Sequence, residues 1–194
     1  FKTLNGRTVK DGRGIEPDVH INVKPYSRLA AKLVADQIIF DYATQFFYDN
    51  ASIADARAFQ FIDAQYEDFI EYVKSKNFEY TTASEEVYDR LQEVAKKEDY
   101  YELAEDEFKA LLDKLHPSTE RDLKIFKNEV VEILENEIAS RYYYQKGRVE
   151  VSIDEDPYIE TALKLFNNKD DFDSILKGTK NPKAYDYNEE ETSK

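Results

Sequence analysis

After Pro25 the apolar residues recur every three or four positions, and very little interrupts them. Leu29, Ala30, Leu33, Val34 and Ile38 begin the pattern, and it returns along the chain as far as Phe166. Glycine and proline number only five each in 194 residues, so helix stops are scarce. A period near 3.6 with few breakers restricts the chain to a mainly α fold. The spacing predicts an array of about six helices, with a short β arm before them.

The first helix is expected over 27–48; it is apolar nearly all round and should therefore be central. Residues 50–62 are ambiguous, and "FQFI" reads as a short strand or an extended linker. Tyr66, Phe69, Ile70 and Val73 mark a helix over 64–76. Thr82-Ala83-Ser84-Glu85 has the form of a capping box, which opens a helix whose face is Val87, Tyr88, Leu91, Val94 and Ala95. Ala104, Phe108, Leu111, Leu112 and Leu115 mark the next, ended by His116-Pro117 because the residue before proline avoids the α region.

A long helix is expected over 118–146, with Gly147 at its C′ position, followed by the alternating "RVEVSI" at 148–153. Asp156 and Pro157 supply an N-cap and a proline at N1 for a helix with Ile159, Ala162, Leu163 and Phe166 on its face. A last helix over 171–177 stops at Gly178, and the polar, acidic residues 179–194 are expected to be a disordered tail.

Residues 1–24 differ, with five cations against three carboxylates in a chain whose net charge is −14. Val19, Ile21 and Val23 alternate with His20, Asn22 and Lys24, the period of a half-buried strand. Asn5-Gly6 is a tight-turn dipeptide, and Gly12 and Gly14 permit further reversals. The expected organisation is a β arm over 1–24, a helical domain over 25–178 and the tail over 179–194.

Charge and composition exclude several functions. A net charge of −14 repels phosphate backbones, so no nucleic-acid partner is expected. No run of about 20 apolar residues is present, so no membrane span is expected in these residues. The absence of cysteine excludes disulfides, thiolate metal sites and a cysteine nucleophile. Of the two histidines, His20 lies on the polar face of its strand. His116, three residues after Asp113, lies at a helix C-terminus, where the dipole favours a cation.

Ser174-Ile175-Leu176-Lys177 has the Ser-x-x-Lys form of penicillin-recognising enzymes, but neither Ser-Asp-Asn nor Lys-Thr-Gly follows. Gly12-Arg13-Gly14 leads into Pro17 and a strand, where a phosphate cradle needs a helix N-terminus. The acidic clusters at 154–156 and 170–173 lack the ligand alternation and central glycine of a calcium loop. No catalytic, cofactor-binding or metal-binding residue is assigned, and no cofactor is expected.

Gly6-Arg7 followed by Gly14-Ile15-Glu16-Pro17-Asp18-Val19 resembles the end of the catalytic domain in carboxy-terminal processing (tail-specific) serine peptidases. There a Thr-Pro-Ser-Gly-Arg turn precedes a Gly-Ile-x-Pro-Asp motif. The turn here reads Thr3-Leu4-Asn5-Gly6-Arg7, and the second motif matches in full. Residues 38–46 and 141–153 look like parts of the helical C-terminal extension of a bacterial subgroup.

The resemblance implies that Gly6, Arg7, Gly14, Ile15, Pro17 and Asp18 have a structural role. It also implies that the catalytic Ser and Lys and a PDZ module lie upstream, where Lys serves as general base for Ser. The start at Phe1 and the lack of Met agree with a missing upstream part. The implied function is a non-catalytic helical domain of a periplasmic or cell-envelope serine endopeptidase, for packing, oligomerisation or control of substrate access. Its implied partners are the peptidase and PDZ domains of its own chain and protein substrates. A homodimer through residues 1–24 is a further expectation, since an unpaired strand edge invites a second copy. The alternative is a free-standing acidic helical interaction domain, and a small metal-dependent enzyme comes last.

Overall fold

A computed structural model of the chain describes residues 1–3, 12, 17–153 and 156–179. The chain divides into two compact units, Tyr26–Val151 and a second made of Phe1–Pro25 with Ser152–Lys194.

The first unit runs through α1 (Arg28–Ala35), α2 (Ile38–Asp49), α3 (Asp63–Ser75), α4 (Ala83–Lys97), α5 (Glu105–Leu115), α6 (Thr119–Ile125) and α7 (Lys127–Ser152), whose last residue enters the second unit. Short 3-10 turns at Ala56–Ala58 and Glu102–Ala104 precede α3 and α5. Ser27 caps α1 by accepting from Ala30 N, and its own backbone N–H is held by Glu129 of α7. Thr82 and Glu85 form the expected reciprocal box: Glu85 N donates to Thr82 Oγ1 (3.1 Å) and Thr82 N to Glu85 Oε2 (2.8 Å).

On α1, α3, α6 and α7 the core is built where the periodicity placed it. Leu29, Leu33, Tyr66, Phe69, Ile70, Val73, Leu123, Val130, Leu134 and Ile138 are all essentially inaccessible. Burying each such side chain contributes on the order of 1.5–3 kcal/mol. Tyr42 meets Phe61, Phe69 and Tyr72 edge-on, with ring centroids 6.0, 5.0 and 5.2 Å away. The tyrosine hydroxyls serve as helix-to-backbone ties. Tyr66 donates to Leu123 O (2.6 Å), Tyr42 to Gln65 O (3.2 Å) and Tyr142 to Asn50 O (2.6 Å). Aromatic rings thus fill the core while their polar tips satisfy carbonyls at helix ends.

Several expectations change. Among the described residues there are nine α-helices, where about six were expected. The helix read over 27–48 is two, broken where Gln37 adopts a left-handed conformation (φ 61°). The helix read over 118–146 is also broken, because α6 ends at Ile125 with Phe126 as its C-cap and α7 begins at Lys127. α7 itself is broken at Tyr144 (φ 56°, ψ −150°), and Gly147 and residues 148–152 of "RVEVSI" lie in the helical segment after that break. "FQFI" is an extended linker: Phe59 and Phe61 are buried, Gln60 and Ile62 exposed, and Phe61 N donates to Glu135 Oε1 (2.6 Å).

The second unit holds α8 (Pro157–Asn167) and α9 (Lys169–Lys177). Asp156 accepts from Tyr158 N (2.7 Å) and Ile159 N (3.2 Å), as the Asp-Pro start predicts, and Gly178 (φ 69°) closes α9. The expected β arm is not formed among the described residues. Residues 17–25 contain no strand, and only Lys2 and His20 make isolated β-bridges. Alternation alone does not form a strand, because the backbone needs a paired neighbour. Gly12 takes a positive φ of 106°, which its lack of a Cβ permits. The Asn5-Gly6 turn, Gly14 and residues 180–194 of the expected tail lie outside the described residues.

Candidate functional site

Of the six motif residues, Gly6, Arg7, Gly14 and Ile15 lie outside the described residues. Pro17 is exposed and Asp18 half-buried. The other polar features resolve into local structure. Ser174 Oγ donates to Asp170 O within α9 (2.7 Å), an ordinary helical back-bond, and Lys177 stands exposed at the helix end. Asp170 and Asp171 occupy the first turn of α9, where Asn168 accepts from Asp171 N. His20 is exposed, and His116 Nδ1 lies 3.3 Å from Glu85 Oε1 on the surface. No group of three His, Cys, Asp or Glu that could hold a metal occurs among the described residues. No described helix is long and apolar enough to cross a membrane.

The buried carboxylate is structural. Asp122 accepts from Tyr80 Oη (2.8 Å) and Arg121 Nε (3.0 Å), so both of its oxygens are engaged. Burial, then the hydrogen bond to Asp122, pushes the Tyr80 phenol well above its usual range. Arg141 is a second fixed group. It donates to Phe40 O (2.7 Å) and Thr44 Oγ1 (2.8 Å) on α2 and to Glu137 O (2.7 Å) on its own helix, with its guanidinium over the Phe40 ring. Both clusters join helices and present nothing to a ligand.

Large apolar side chains are left exposed on α8, whose expected face of Ile159, Ala162, Leu163 and Phe166 is exposed and not buried, and on the hairpin of α4 and α5. The face expected for α4 was Val87, Tyr88, Leu91, Val94 and Ala95, but only Tyr88 and Ala95 are buried. Tyr88 Oη donates to Phe108 O of α5 (3.0 Å), and the Tyr88 and Phe108 rings meet at 5.9 Å. Ala95 O accepts from Tyr100 N and Tyr101 N, which turns the chain back with Asp99 in the left-handed region (φ 59°). Those contacts use one side of α4. Val87, Leu91 and Val94 form a second, adjacent stripe that is 68%, 49% and 42% exposed. On the other arm Leu103 (81% exposed), Leu111 and Leu112 are exposed as well. No residue of α5 is buried.

The root of the hairpin is held to the core by the Arg28–Glu86 ion pair (2.6 Å) and by Tyr80, which lies just before Thr82 and reaches Asp122. An exposed apolar stripe on a rooted helix pair is the usual mark of a surface that contacts another polypeptide. Periodicity located this stripe as part of the helix's apolar face. No sequence signal separates a face that packs inward from one that awaits a partner.

Residues 29–166 match the family model described as "Probable PDZ-protease, C-terminal helical domain". The match spans α1 to α8 and therefore includes the hairpin. No curated protein and no solved structure matches the chain.

Proposed function

The chain belongs to the family of C-terminal helical domains of probable PDZ-proteases, and on that premise we propose that it is a non-catalytic, protein-contacting part of such a protease. Its contact surface is the exposed stripe of the α4–α5 hairpin. The single observation that carries this reading is the position of Val87, Leu91 and Val94, a complete helical stripe of large apolar side chains left in water. Burying it against protein would remove its contact with water at about 25 cal/mol per Å² of apolar area. Either the rest of the protease or a substrate chain can supply that cover. Packing and control of substrate access are thus two consequences of one surface. The Gly14-Ile15-Glu16-Pro17-Asp18 stretch supports the tail-specific serine class, and with it a setting in the cell envelope.

The test is site-specific photocross-linking in the whole protease, with the cross-linker at Leu91 or Leu103 and a control at the exposed Asp41 of α2. Adducts to polypeptide from positions 91 and 103 in clear excess of position 41 are expected. Equal yields at all three would sink the reading. The isolated chain should cleave no unstructured polypeptide, and turnover lost on Ser174→Ala would return chemistry to α9.

A further inference from the structure

The hairpin's charge points to the kind of partner it takes. Residues 83–115 hold eleven carboxylates and five cations. Glu85, Glu86 and Glu105 are used in pairs with His116, Arg28 and Lys109. On the cationic side Lys109 is spent in that last pair, Lys96 lies over the Tyr101 ring (4.8 Å), and Arg90, Lys97 and Lys114 are exposed, so free carboxylates still outnumber free cations. The other eight carboxylates, among them Asp89, Glu93, Glu102 and Glu107, are exposed and have no ion-pair partner among the described residues. They share the two helices and their connecting turn with the apolar stripe.

We infer that the α4–α5 hairpin docks a cationic amphipathic segment of another polypeptide, one that offers large apolar side chains flanked by Lys or Arg. This inference rests on the protein-contact reading above and deepens it. Apolar complementarity alone would accept any exposed hydrophobic face. The surplus of negative charge makes the choice, because like charges brought together at an interface are unfavourable and opposite charges steer encounter. A second copy of the chain would set the same carboxylate surplus against itself, and nucleic acid is repelled outright. A helix laid along the stripe would meet Val87, Leu91 and Val94 with residues at matching spacing.

The experiment uses the whole chain and three labelled synthetic peptides. One is an amphipathic helix of Leu and Lys, one its Leu and Glu counterpart, and one a scrambled Leu and Lys peptide of the same charge but without an apolar face. Fluorescence anisotropy should give saturable binding of the first, at least about tenfold tighter than the other two and weakened by salt. Leu91→Asp should lower that affinity roughly tenfold or more, and so should the combined Asp89→Asn, Glu93→Gln and Glu107→Gln variant. Asp41→Asn should leave it unchanged. These side chains are exposed, so circular dichroism of each variant should match the parent. If Leu91→Asp unfolds, the triple carboxylate variant decides alone.

Equal binding of the Leu and Glu peptide overturns the inference, as does wild-type affinity in the carboxylate variant. A concentration-dependent dimer that Leu91→Asp abolishes also overturns it, in favour of a second copy. Cross-links from Leu91 in the whole protease that persist without any preference for cationic peptides defeat this inference only. Their absence defeats the protein-contact reading as well.

Discussion

Arg148 donates from Nη2 to Oε2 of Glu137 at 3.2 Å, although eleven residues separate the two within α7. In a straight helix that separation is about 16 Å along the axis. The helix is therefore folded back on itself, and the bend is Tyr144, at φ 56° and ψ −150°. Beyond it Gly147 packs against the helix it came from. A Cβ there would stand 2.4 Å from Tyr143 Cβ and 2.9 Å from Ala139 O.

Tyr144 occupies a region of backbone space that is nearly reserved for glycine, at a cost of roughly 1–3 kcal/mol. The residue is 79% exposed, so removal of its side chain loses little packing. Tyr144→Gly should raise stability by about 1 kcal/mol, because the strain relieved exceeds the added freedom of glycine in the unfolded chain. The urea midpoint checks it, and an unchanged or lower midpoint would mean that the bend is unstrained.

Gly147→Ala tests the close approach beyond the bend. Helix propensity alone favours alanine by about 1 kcal/mol. The overlap with Ala139 O and Tyr143 Cβ involves backbone and the root of a side chain, which cannot move aside, and overpacking of this kind costs about 1–3 kcal/mol. Net destabilisation is expected, with the Arg148–Glu137 contact weakened. A stabilised variant would place the second half of α7 away from the first.

The tyrosines predict an alkaline limit. Burial pushes the Tyr42 phenol up to about 12, with the nearby Asp68 carboxylate adding to it, and raises Tyr66 and Tyr80 further. In the unfolded chain a phenol titrates near 10. A group whose pKa is raised on folding contributes its full stability below the unfolded value and loses it as pH rises through the folded one. The unfolding free energy from urea titration should be flat to about pH 9 and, above about pH 10, fall by up to roughly 1.4 kcal/mol per pH unit for each such tyrosine. Tyr42→Phe should make the fall shallower, whereas a value constant to about pH 11 would contradict these shifts.

Arg141→Lys should behave like a deletion and not like a conservative change. The planar fork reaches Phe40 O, Thr44 Oγ1 and Glu137 together, and an ammonium cannot hold that geometry. A loss of about 1–3 kcal/mol is expected on thermal or urea unfolding, because Phe40 O and Thr44 Oγ1 on α2 lose the guanidinium donor. A loss near zero in the lysine variant would show that charge alone suffices there.

The sequence by itself determined which residues can share a helical face and where several helices start. Leu29, Leu33, Phe69, Val73 and Leu134 are buried as their spacing requires, and Thr82–Glu85, Asp156-Pro157 and Gly178 do the capping that their chemistry dictates. These are local properties, set by period and by a few hydrogen bonds within one turn. Only the tertiary structure decided where the helices break. Gln37, Asn77, Asp99 and Tyr144 all take positive φ, although none is glycine, because packing on either side outweighs a local cost of about 1–2 kcal/mol. The same holds for the hairpin. Val87 and Tyr88 are adjacent and both apolar, yet one is exposed and the other buried, since Phe108 of α5 covers only one side of α4. Periodicity defines a face, but which part of that face finds a neighbour depends on residues distant in sequence.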